Sequence, residues 1–457
     1  MKNKAVIDMT KGPLVGPLVR FILPLIGGSV FQLLYNTVDF LCVGNFLGKT
    51  AAAAVGASAT LITITIGLFT GISVGTSVVA AQAIGAGDRP RAEKALHSSV
   101  LFGLAGGLVI MTLGLLLSPA ILRVLRTPEE VLPQAVTYLR IYLLSIPMVI
   151  FYNMVTGGMR TYGDTRTPFL VLAVCGVLNV GLDALFIAVL PLGVAGVAIA
   201  TCITQSLSAL LVGWFASRPG TPLRLERRKL RMDWKVLRMV LFLGLPTGIQ
   251  TIIITFSNIM VQYYINAFGE TAVAAFATYY KVENFVYLPI MAFGQAATTF
   301  AGQNTGAGNF RRLRRGTVIT ALIGSGVVAC LAGAVLLNAN TVYSWFIKDP
   351  EVVALTVVIA SVSFPFYWIY PFLEVTGGAV RGMGYSLHSM AVIILNLCVV
   401  RISLLGIFSR TYHTVRSLAA VYPITWAGAA TCFLILFTVL VRNKIRTADA
   451  AGPRITE

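Results

Sequence analysis

Carboxylate, amide and hydroxyl side chains recur inside long apolar runs, where an ionised group is costly to bury. Asp39 lies in the first run, and Asn179 and Asp183 lie four residues apart in the fifth, on one helical face. Thr201 and Thr204, in the sixth run, offer further oxygens. These are hard ligands of the kind that Na⁺ accepts, and two neighbouring carboxylates can instead share a proton. The set predicts a Na⁺ or H⁺ site; the alternative is a polar network that only packs helices.

The helix that carries Asp39 has further polar positions and a proline. Gln32 and Asn36 precede Asp39 by seven and three residues, so the three lie near one helical face. Pro24 removes a backbone hydrogen bond and can kink the helix. A kinked helix with an acid at mid-depth predicts a moving element, the alternative being a structural hydrogen bond from Asp39 to a neighbouring helix.

Two further acids lie within apolar runs of the second half. Glu374 follows an aromatic run around two prolines, and rings beside an acid suit a lipophilic cation. An aromatic belt at the membrane interface is the alternative. Arg401, the lone mid-span arginine, is expected to pair with one of the two glutamates. The candidates for substrate contact here are Glu283, Glu374, Tyr367, Trp368 and Tyr370.

The elements that must position these residues are membrane helices. The chain has 457 residues, is 57% hydrophobic and only 11% charged, and its mean hydropathy is +0.83. Apolar runs recur at about the ~20 residues needed to cross a bilayer core. Twelve spans are predicted, at about 17–43, 52–82, 95–122, 131–157, 167–190, 194–216, 237–265, 272–302, 317–338, 352–378, 387–408 and 418–441.

The charges of the loops alternate along the chain. With the N-terminus placed in the cytoplasm, inside loops and tails hold 26 lysines and arginines and outside loops hold 6. This positive-inside bias predicts that both termini are cytoplasmic. The net charge of +18 then follows from cytoplasmic loops that contact anionic lipid, and no nucleic-acid partner is expected.

An internal repeat organises the chain. Gln82–Asp88 reads Gln-Ala-Ile-Gly-Ala-Gly-Asp, and Gln303–Asn309 reads Gln-Asn-Thr-Gly-Ala-Gly-Asn, 221 residues later. A duplicated membrane half is the usual architecture of a secondary transporter. The predicted fold is an all-α integral membrane protein with twelve transmembrane helices in two pseudo-symmetric six-helix lobes. The predicted boundaries are 1–216 for the first lobe, 217–236 for a cytoplasmic linker, 237–441 for the second lobe and 442–457 for a cytoplasmic tail.

Other classes of function lack their motifs. The six cysteines lie in apolar surroundings without CxxC spacing, which favours small buried hydrophobes over a metal site or disulfides. There is no HExxH or GxSxG, and three histidines are scattered along the chain. The sequence therefore disfavours a membrane-embedded enzyme, and it shows no filter motif of a channel. No cofactor is expected.

These segments together resemble a known family. Leu23-Pro24 through Asp39 to Gly44, Gly163 to Pro168 and Gly193 to Gly196 are similar to segments of multidrug and toxic compound extrusion (MATE) transporters. Gln82 to Asp88, Gln303 to Gly308 and Arg381 to Gly384 also fit, and the resemblance spans residues 12–442. Within that family, the chain resembles the bacterial DinF-like and MepA-like branch.

The resemblance implies a coupling site in the first lobe. That site carries over to Asp39, Asn179, Asp183 and Thr201, which would bind Na⁺ or take up H⁺. Its implied neighbours are Gln32, Asn36, Tyr138 and Asn153. Other branches use an acid on span seven, where this chain offers Asn258 and Gln262 as candidates for substrate contact but no acid.

The implied activity is secondary active multidrug efflux. Cationic or amphipathic drug-like compounds would leave in exchange for H⁺ or Na⁺ by alternating access, which confers drug resistance. The protein is expected to be a multi-pass monomer in the bacterial cytoplasmic (inner) membrane, with lipid and small molecules as partners. The alternative within transport is a flippase for lipid-linked oligosaccharide or peptidoglycan precursors. That anionic substrate favours several central cations, and only Arg140, Lys281 and Arg401 are candidates.

Overall fold

The computed structural model describes residues 7–450, except for the side chains of Asn36 and Phe40, and it contains no strand in that range. Its helices are α1 Val15–Cys42, α2 Gly48–Gly85, α3 Arg89–Val124, α4 Leu132–Thr161, α5 Arg166–Ala184, α6 Gly193–Ser217, α7 Trp234–Asn266, α8 Glu270–Gly306, α9 Phe310–Leu337, α10 Ala339–Ser344, α11 Pro350–Ser363, α12 Ile369–Gly382, α13 Ser386–Ile394, α14 Arg401–Thr411 and α15 Val415–Ala450. Wider π-helical segments follow α1, α5 and α13, at Val43–Leu47, Leu185–Val189 and Leu395–Val400.

The membrane-spanning helices follow the predicted runs. In the described part of the chain, nine helical segments are long and apolar enough to cross a bilayer, or ten if one bent pair is a single span. One of the nine, Val15–Gly85, holds both α1 and α2. The eighth predicted run forms α8, a helix of 37 residues. Counting α1 and α2 separately gives ten spans, the bent pair gives the eleventh, and α8 gives the twelfth. The predicted all-α membrane fold with twelve spans is therefore confirmed.

The tenth predicted span is bent rather than straight. Its two parts, Pro350–Phe366 and Ile369–Gly382, meet at 52°. Pro365 lies in a short 3-10 turn at Phe364–Phe366, and Pro371 lies in the first turn of α12. Each proline lacks a backbone N–H, so the helix is interrupted where the aromatic run lies.

The repeat is visible in the backbone. Three pairs of glycines have positive φ at ends of helices, a conformation that other residues adopt at a cost. The pairs are Gly48 and Gly269 (84° and 87°), Gly87 and Gly308 (78° and 71°), and Gly163 and Gly384 (89° and 94°). Each pair is separated by the 221 residues of the sequence repeat.

The chain forms two compact units. Within the described range, unit 1 holds residues 7–8, 23–84 and 88–248, and unit 2 holds residues 9–22, 85–87 and 249–450. The division falls inside α1 and inside α7, close to Pro24 and Pro246. The lobe boundaries at residues 216 and 237 stay a prediction.

Glycines bring α2 and the first half of α7 close together in unit 1. A Cβ added at Gly71 would overlap the backbone of Gly248, and one at Gly75 would overlap the carbonyl oxygen of Val240. Gly244 in turn faces the backbone of Ile72. Small residues allow this approach, which gives membrane helices their packing contacts.

The connection between α6 and α7 is docked onto the start of α3. The Glu226 amide donates to His97 Nε2 at 3.1 Å, and the Asp233 amide donates to Ser98 Oγ at 2.9 Å. Lys94 Nζ lies 3.1 Å from Asp233 Oδ2. The hydrogen bond from Lys94 lowers the pKa of Asp233 below its ordinary value. The predicted linker is thus part of the surface of unit 1, and His97 has a structural role.

Candidate functional site

Two acids of unit 1 lie just before π-helical segments. Asp39 on α1 precedes the segment Val43–Leu47, and Asp183 on α5 precedes Leu185–Val189. A π turn widens the helix and displaces the residues around it, and such turns are frequent at functional sites. The local backbone therefore departs from a regular helix at both places where a carboxylate lies inside a span.

The two carboxyl groups are neighbours. Asp39 and Asp183 interact electrostatically with each other, and Asp183 is completely buried. No ion pair among residues 7–450 involves either of them. Two ionised carboxylates repel each other strongly in an apolar environment. A shared proton or a bound cation would remove that repulsion.

The polar atoms around this pair lack partners. Asn179 is 2% exposed and Thr201 is 5% exposed. Thr204 differs, because its hydroxyl donates to the Ala200 carbonyl at 2.9 Å. Buried polar groups normally have hydrogen bonds, so a group of unpartnered ones indicates a binding function. Within the described residues, the side-chain atoms without a partner include Asp39 Oδ1, Asn179 Oδ1 and Nδ2, Asp183 Oδ1 and Oδ2, and Thr201 Oγ1.

Tyrosine rings border the carboxyl pair. Tyr138, a predicted neighbour, is 4% exposed, interacts electrostatically with both acids, and stacks on Tyr142 with ring centroids 6.2 Å apart. Tyr35 interacts with Asp39, and its hydroxyl accepts a hydrogen bond from Gln205 Nε2 at 3.3 Å. The sequence analysis missed Tyr35 and Tyr142. Tyr35 lies four residues before Asp39, and Tyr142 lies four residues after Tyr138, so each shares a helical face with a predicted site residue. That spacing would have indicated both tyrosines.

The remaining predicted neighbours differ in their contacts. Gln32 hydrogen-bonds to the Tyr35 hydroxyl and so reaches the acids through that ring. Asn153 Nδ2 donates to the Val149 carbonyl of its own helix at 2.9 Å. The side chain of Asn36 lies outside the described part of the chain.

A half-buried acid in unit 2, Glu283, lies beside a cluster of aromatic rings. Tyr367 donates a short hydrogen bond to Glu283 Oε1. Trp426 lies edge-on to Tyr367, with centroids 4.7 Å apart, and stacks on Tyr370 at 5.1 Å. Three of the predicted substrate contacts therefore lie together. Trp426 was missed, because it lies in the last span, about 56 residues beyond the aromatic run.

Glu374 has a partner that the sequence analysis did not predict. Its Oε1 lies 2.7 Å from Arg381 Nη2, and the two side chains are 14% and 9% exposed. Arg401 instead donates to Thr425 Oγ1 at 3.3 Å and lies 5.2 Å from the Tyr422 ring centroid. In the described structure it makes no ion pair. The prediction that Arg401 pairs with one of the glutamates was wrong, since Arg381 follows Glu374 by two helical turns and shares its face.

The other candidates for substrate contact are not joined to this cluster. Trp368 is 46% exposed, and its ring lies edge-on to Phe372 at 6.2 Å. Gln262 Nε2 donates to Asn266 Oδ1 at 2.7 Å, one turn along α7. Asn258 is exposed on the same helix.

Comparisons with known proteins agree with this architecture. The family model MatE matches residues 24–185 and again residues 246–406. The probable multidrug resistance protein YpnP of Bacillus subtilis is 30% identical over 410 residues, which cover 88% of this chain and 90% of that protein. The multidrug export protein MepA of Staphylococcus aureus is 22% identical over 363 residues, which cover 79% and 80%.

Solved structures share the fold. A crystal structure of a MATE protein in complex with MaL6 has a TM-score of 0.92 at 23% identity, covering 97% of this chain and all 100% of that one. A transporter of the MOP superfamily from Pyrococcus furiosus has a TM-score of 0.90 at 24% identity, covering 97% and 99%.

Proposed function

The chain belongs to the MatE family, and on that premise we propose that it is a secondary active multidrug antiporter. It exports cationic or amphipathic compounds in exchange for H⁺ or Na⁺ by alternating access. The observation that carries the coupling is the neighbouring pair Asp39 and Asp183, surrounded by buried polar atoms without partners.

The coupling ion acts on the charge of this pair. A proton on one carboxyl lets it donate to the other, which converts repulsion into a hydrogen bond. A Na⁺ ion would also remove the repulsion, by binding oxygens of Asp39, Asp183, Asn179 and Thr201. The buried oxygens of these residues that lack hydrogen-bond partners fit that ligand set. Either ion lowers the cost of holding both carboxylates in an apolar interior.

The response to ion binding arises on α1. Pro24 lies inside this helix, fifteen residues before Asp39, and supplies no N–H to the backbone ladder. A helix with a missing hydrogen bond bends at a smaller cost than a regular one. Neutralising Asp39 changes which neighbours its side chain favours, so the bend of α1 follows the ion. An ion can drive the exchange only because its affinity differs between the two conformations.

Substrate contact is proposed in unit 2, at Glu283. Its carboxyl group accepts from Tyr367, and that ring packs against Trp426, which in turn stacks on Tyr370. A cationic compound would gain charge and cation–π attraction there together. Glu374 is less suited, because Arg381 already neutralises it.

Efflux from reconstituted vesicles tests the proposal. Ethidium efflux should be driven by an imposed Na⁺ gradient or by an imposed pH gradient, each applied separately. The Asp39→Asn protein should insert and remain folded but lose coupled efflux, because Asn keeps the shape and cannot change its charge. Glu130→Gln, at an exposed acid outside the spans, is the matched control and should transport normally.

Two results would contradict the proposal. Full efflux by Asp39→Asn at equal protein levels would remove the coupling role of that residue. Efflux that responds to neither gradient would remove antiport itself.

The orientation completes the proposal. The proposed protein is a multi-pass monomer of the cytoplasmic membrane. The charges of its loops support a cytoplasmic position for both termini. Protease cleavage of a C-terminal tag in inside-out vesicles, and its protection in intact cells, would test that placement.

A further inference from the structure

A cavity opens between the start of α9 and the end of α15, in unit 2. Its volume is about 420 Å³, and its wall includes Phe310, Arg311, Arg312, Ile445, Ala448 and Asp449. The positive-inside distribution puts these helix ends on the cytoplasmic side, at the level of the lipid headgroups. The cavity therefore combines two arginines with an apolar side at the depth where phospholipid phosphates lie.

The two arginines of the wall are held differently. Arg312 donates to the backbone carbonyls of Met9 at 3.0 Å, Lys11 at 3.0 Å and Gly12 at 2.8 Å, so it fixes the segment before α1. Within residues 7–450, the hydrogen bonds of the Arg311 side chain go to the Asp449 carboxylate, at 3.2 and 3.3 Å. That pair is exposed, with 77% and 58% of the two side chains accessible, and such pairs are weak. Arg311 can therefore exchange its partner while Arg312 holds the wall.

The surroundings carry an excess of positive charge. Exposed basic residues flank the cavity on both helices, and in the described structure none of them makes an ion pair. They are Arg314 and Arg315 on α9 and Arg442 and Arg446 on α15. Among the residues that the structure describes, Asp449 is the only acid of the cavity wall. A ligand of complementary charge is an anion.

We propose that this cavity binds the phosphate headgroup of an anionic phospholipid of the cytoplasmic leaflet. Arg311 leaves Asp449 and binds the phosphate, a charge-assisted contact for which the guanidinium is well shaped. Phe310, Ile445 and Ala448 cover the apolar part next to the headgroup. Basic pockets between helices at this depth are suited to anionic lipid. The inference is independent of transport, because it concerns only the lipid bound at the surface of unit 2.

Lipid titration of the purified full-length protein in neutral detergent tests the proposal. Phosphatidylglycerol should raise the apparent melting temperature in a saturable way, and phosphatidylcholine should not. Arg311→Gln should weaken the apparent affinity for phosphatidylglycerol about fivefold, since one basic residue near an anionic surface contributes about 1 kcal/mol. The control is Arg89→Gln, at the start of α3. Arg89 follows Asp88, whose carboxylate caps the start of α3 by accepting from the Arg91 amide at 3.1 Å. Asn309 holds the matching position of the repeat before α9, and its side chain does not cap that helix. This control should titrate like the unchanged protein.

A variant that should strengthen lipid binding separates this function from a purely structural role of the Arg311–Asp449 pair. Asp449→Asn removes the competitor of the phosphate, so it should tighten binding of phosphatidylglycerol about fivefold. Weaker binding by Asp449→Asn, or equal affinity of Arg311→Gln and the unchanged protein, would overturn the proposal. Equal protection by inorganic phosphate would assign the cavity to free phosphate instead. Binding that occurs only after removal of residues 451–457 would assign it to the chain's own tail.

Discussion

Glu374→Gln should destabilise the protein without singling out cationic substrates. The Glu374 carboxylate and the Arg381 guanidinium are 2.7 Å apart and almost completely buried. Removing one partner of a buried ion pair costs about 3–5 kcal/mol, because the other charge stays buried and unpaired. Gln retains an oxygen that can accept from Arg381, and a hydrogen bond returns about 1 kcal/mol. The expected loss is therefore about 3 kcal/mol.

Thermal unfolding in detergent, measured beside efflux of a cationic and a neutral compound, checks this expectation. Glu374→Gln should melt at a lower temperature and lose transport of both compounds equally. The double variant Glu374→Gln with Arg381→Met should recover much of the stability, since no charge is left unpaired. Glu283→Gln is the comparison variant, and it should weaken transport of the cationic compound more than transport of the neutral compound. An unchanged melting temperature for Glu374→Gln, with selective loss of the cationic compound, would refute the scaffold role.

Two further predictions concern unit 1. Asp183→Asn should abolish ion-driven efflux, whereas Asn179→Ala should reduce it less, because Asp183 supplies a charge and Asn179 supplies one neutral oxygen. Initial efflux rates in vesicles at equal protein levels compare the two variants, and equal losses would contradict the assignment. The Asp233–Lys94 contact contributes fully to linker docking above the ordinary Asp pKa of about 4, and this contribution is lost as pH falls through the lowered pKa of Asp233. Hydrogen–deuterium exchange of residues 218–236 should therefore show weaker protection below about pH 4 than just above it. Lys94→Met should move this loss of protection to higher pH, and an unchanged profile would exclude this ion pair as the cause.

The membrane-spanning helices and the acids within the spans of the first half could be predicted, because both depend on local sequence. Span lengths follow from apolar runs, and the shared face of Asn179 and Asp183 follows from a spacing of four residues. An acid within an apolar span also indicates function by itself, because its burial is costly. The neighbourhood of Asp39 and Asp183 followed from family resemblance rather than from spacing.

Other features depend on tertiary contacts that no local pattern encodes. Arg381 lies near the end of its span, so its charge was assigned to a cytoplasmic loop, yet it is 7% exposed and paired with Glu374. Trp426 joins the ring cluster only because α15 packs beside α12. His97 and the linker are far apart in sequence and meet only in the folded unit. The π-helical segments also have no simple sequence signal.

The division of the chain inside α7 has a consequence for biosynthesis. Unit 1 includes residues up to Gly248, and the glycine face of α2 is covered by Val240, Gly244 and Gly248. A nascent chain that has emerged only as far as Ser217 therefore lacks the helix that covers this face. Insertion of α7 must precede completion of the first unit, so translation of the second half begins before the first can finish assembling. A separately expressed first fragment should accordingly end beyond Gly248 rather than within the linker.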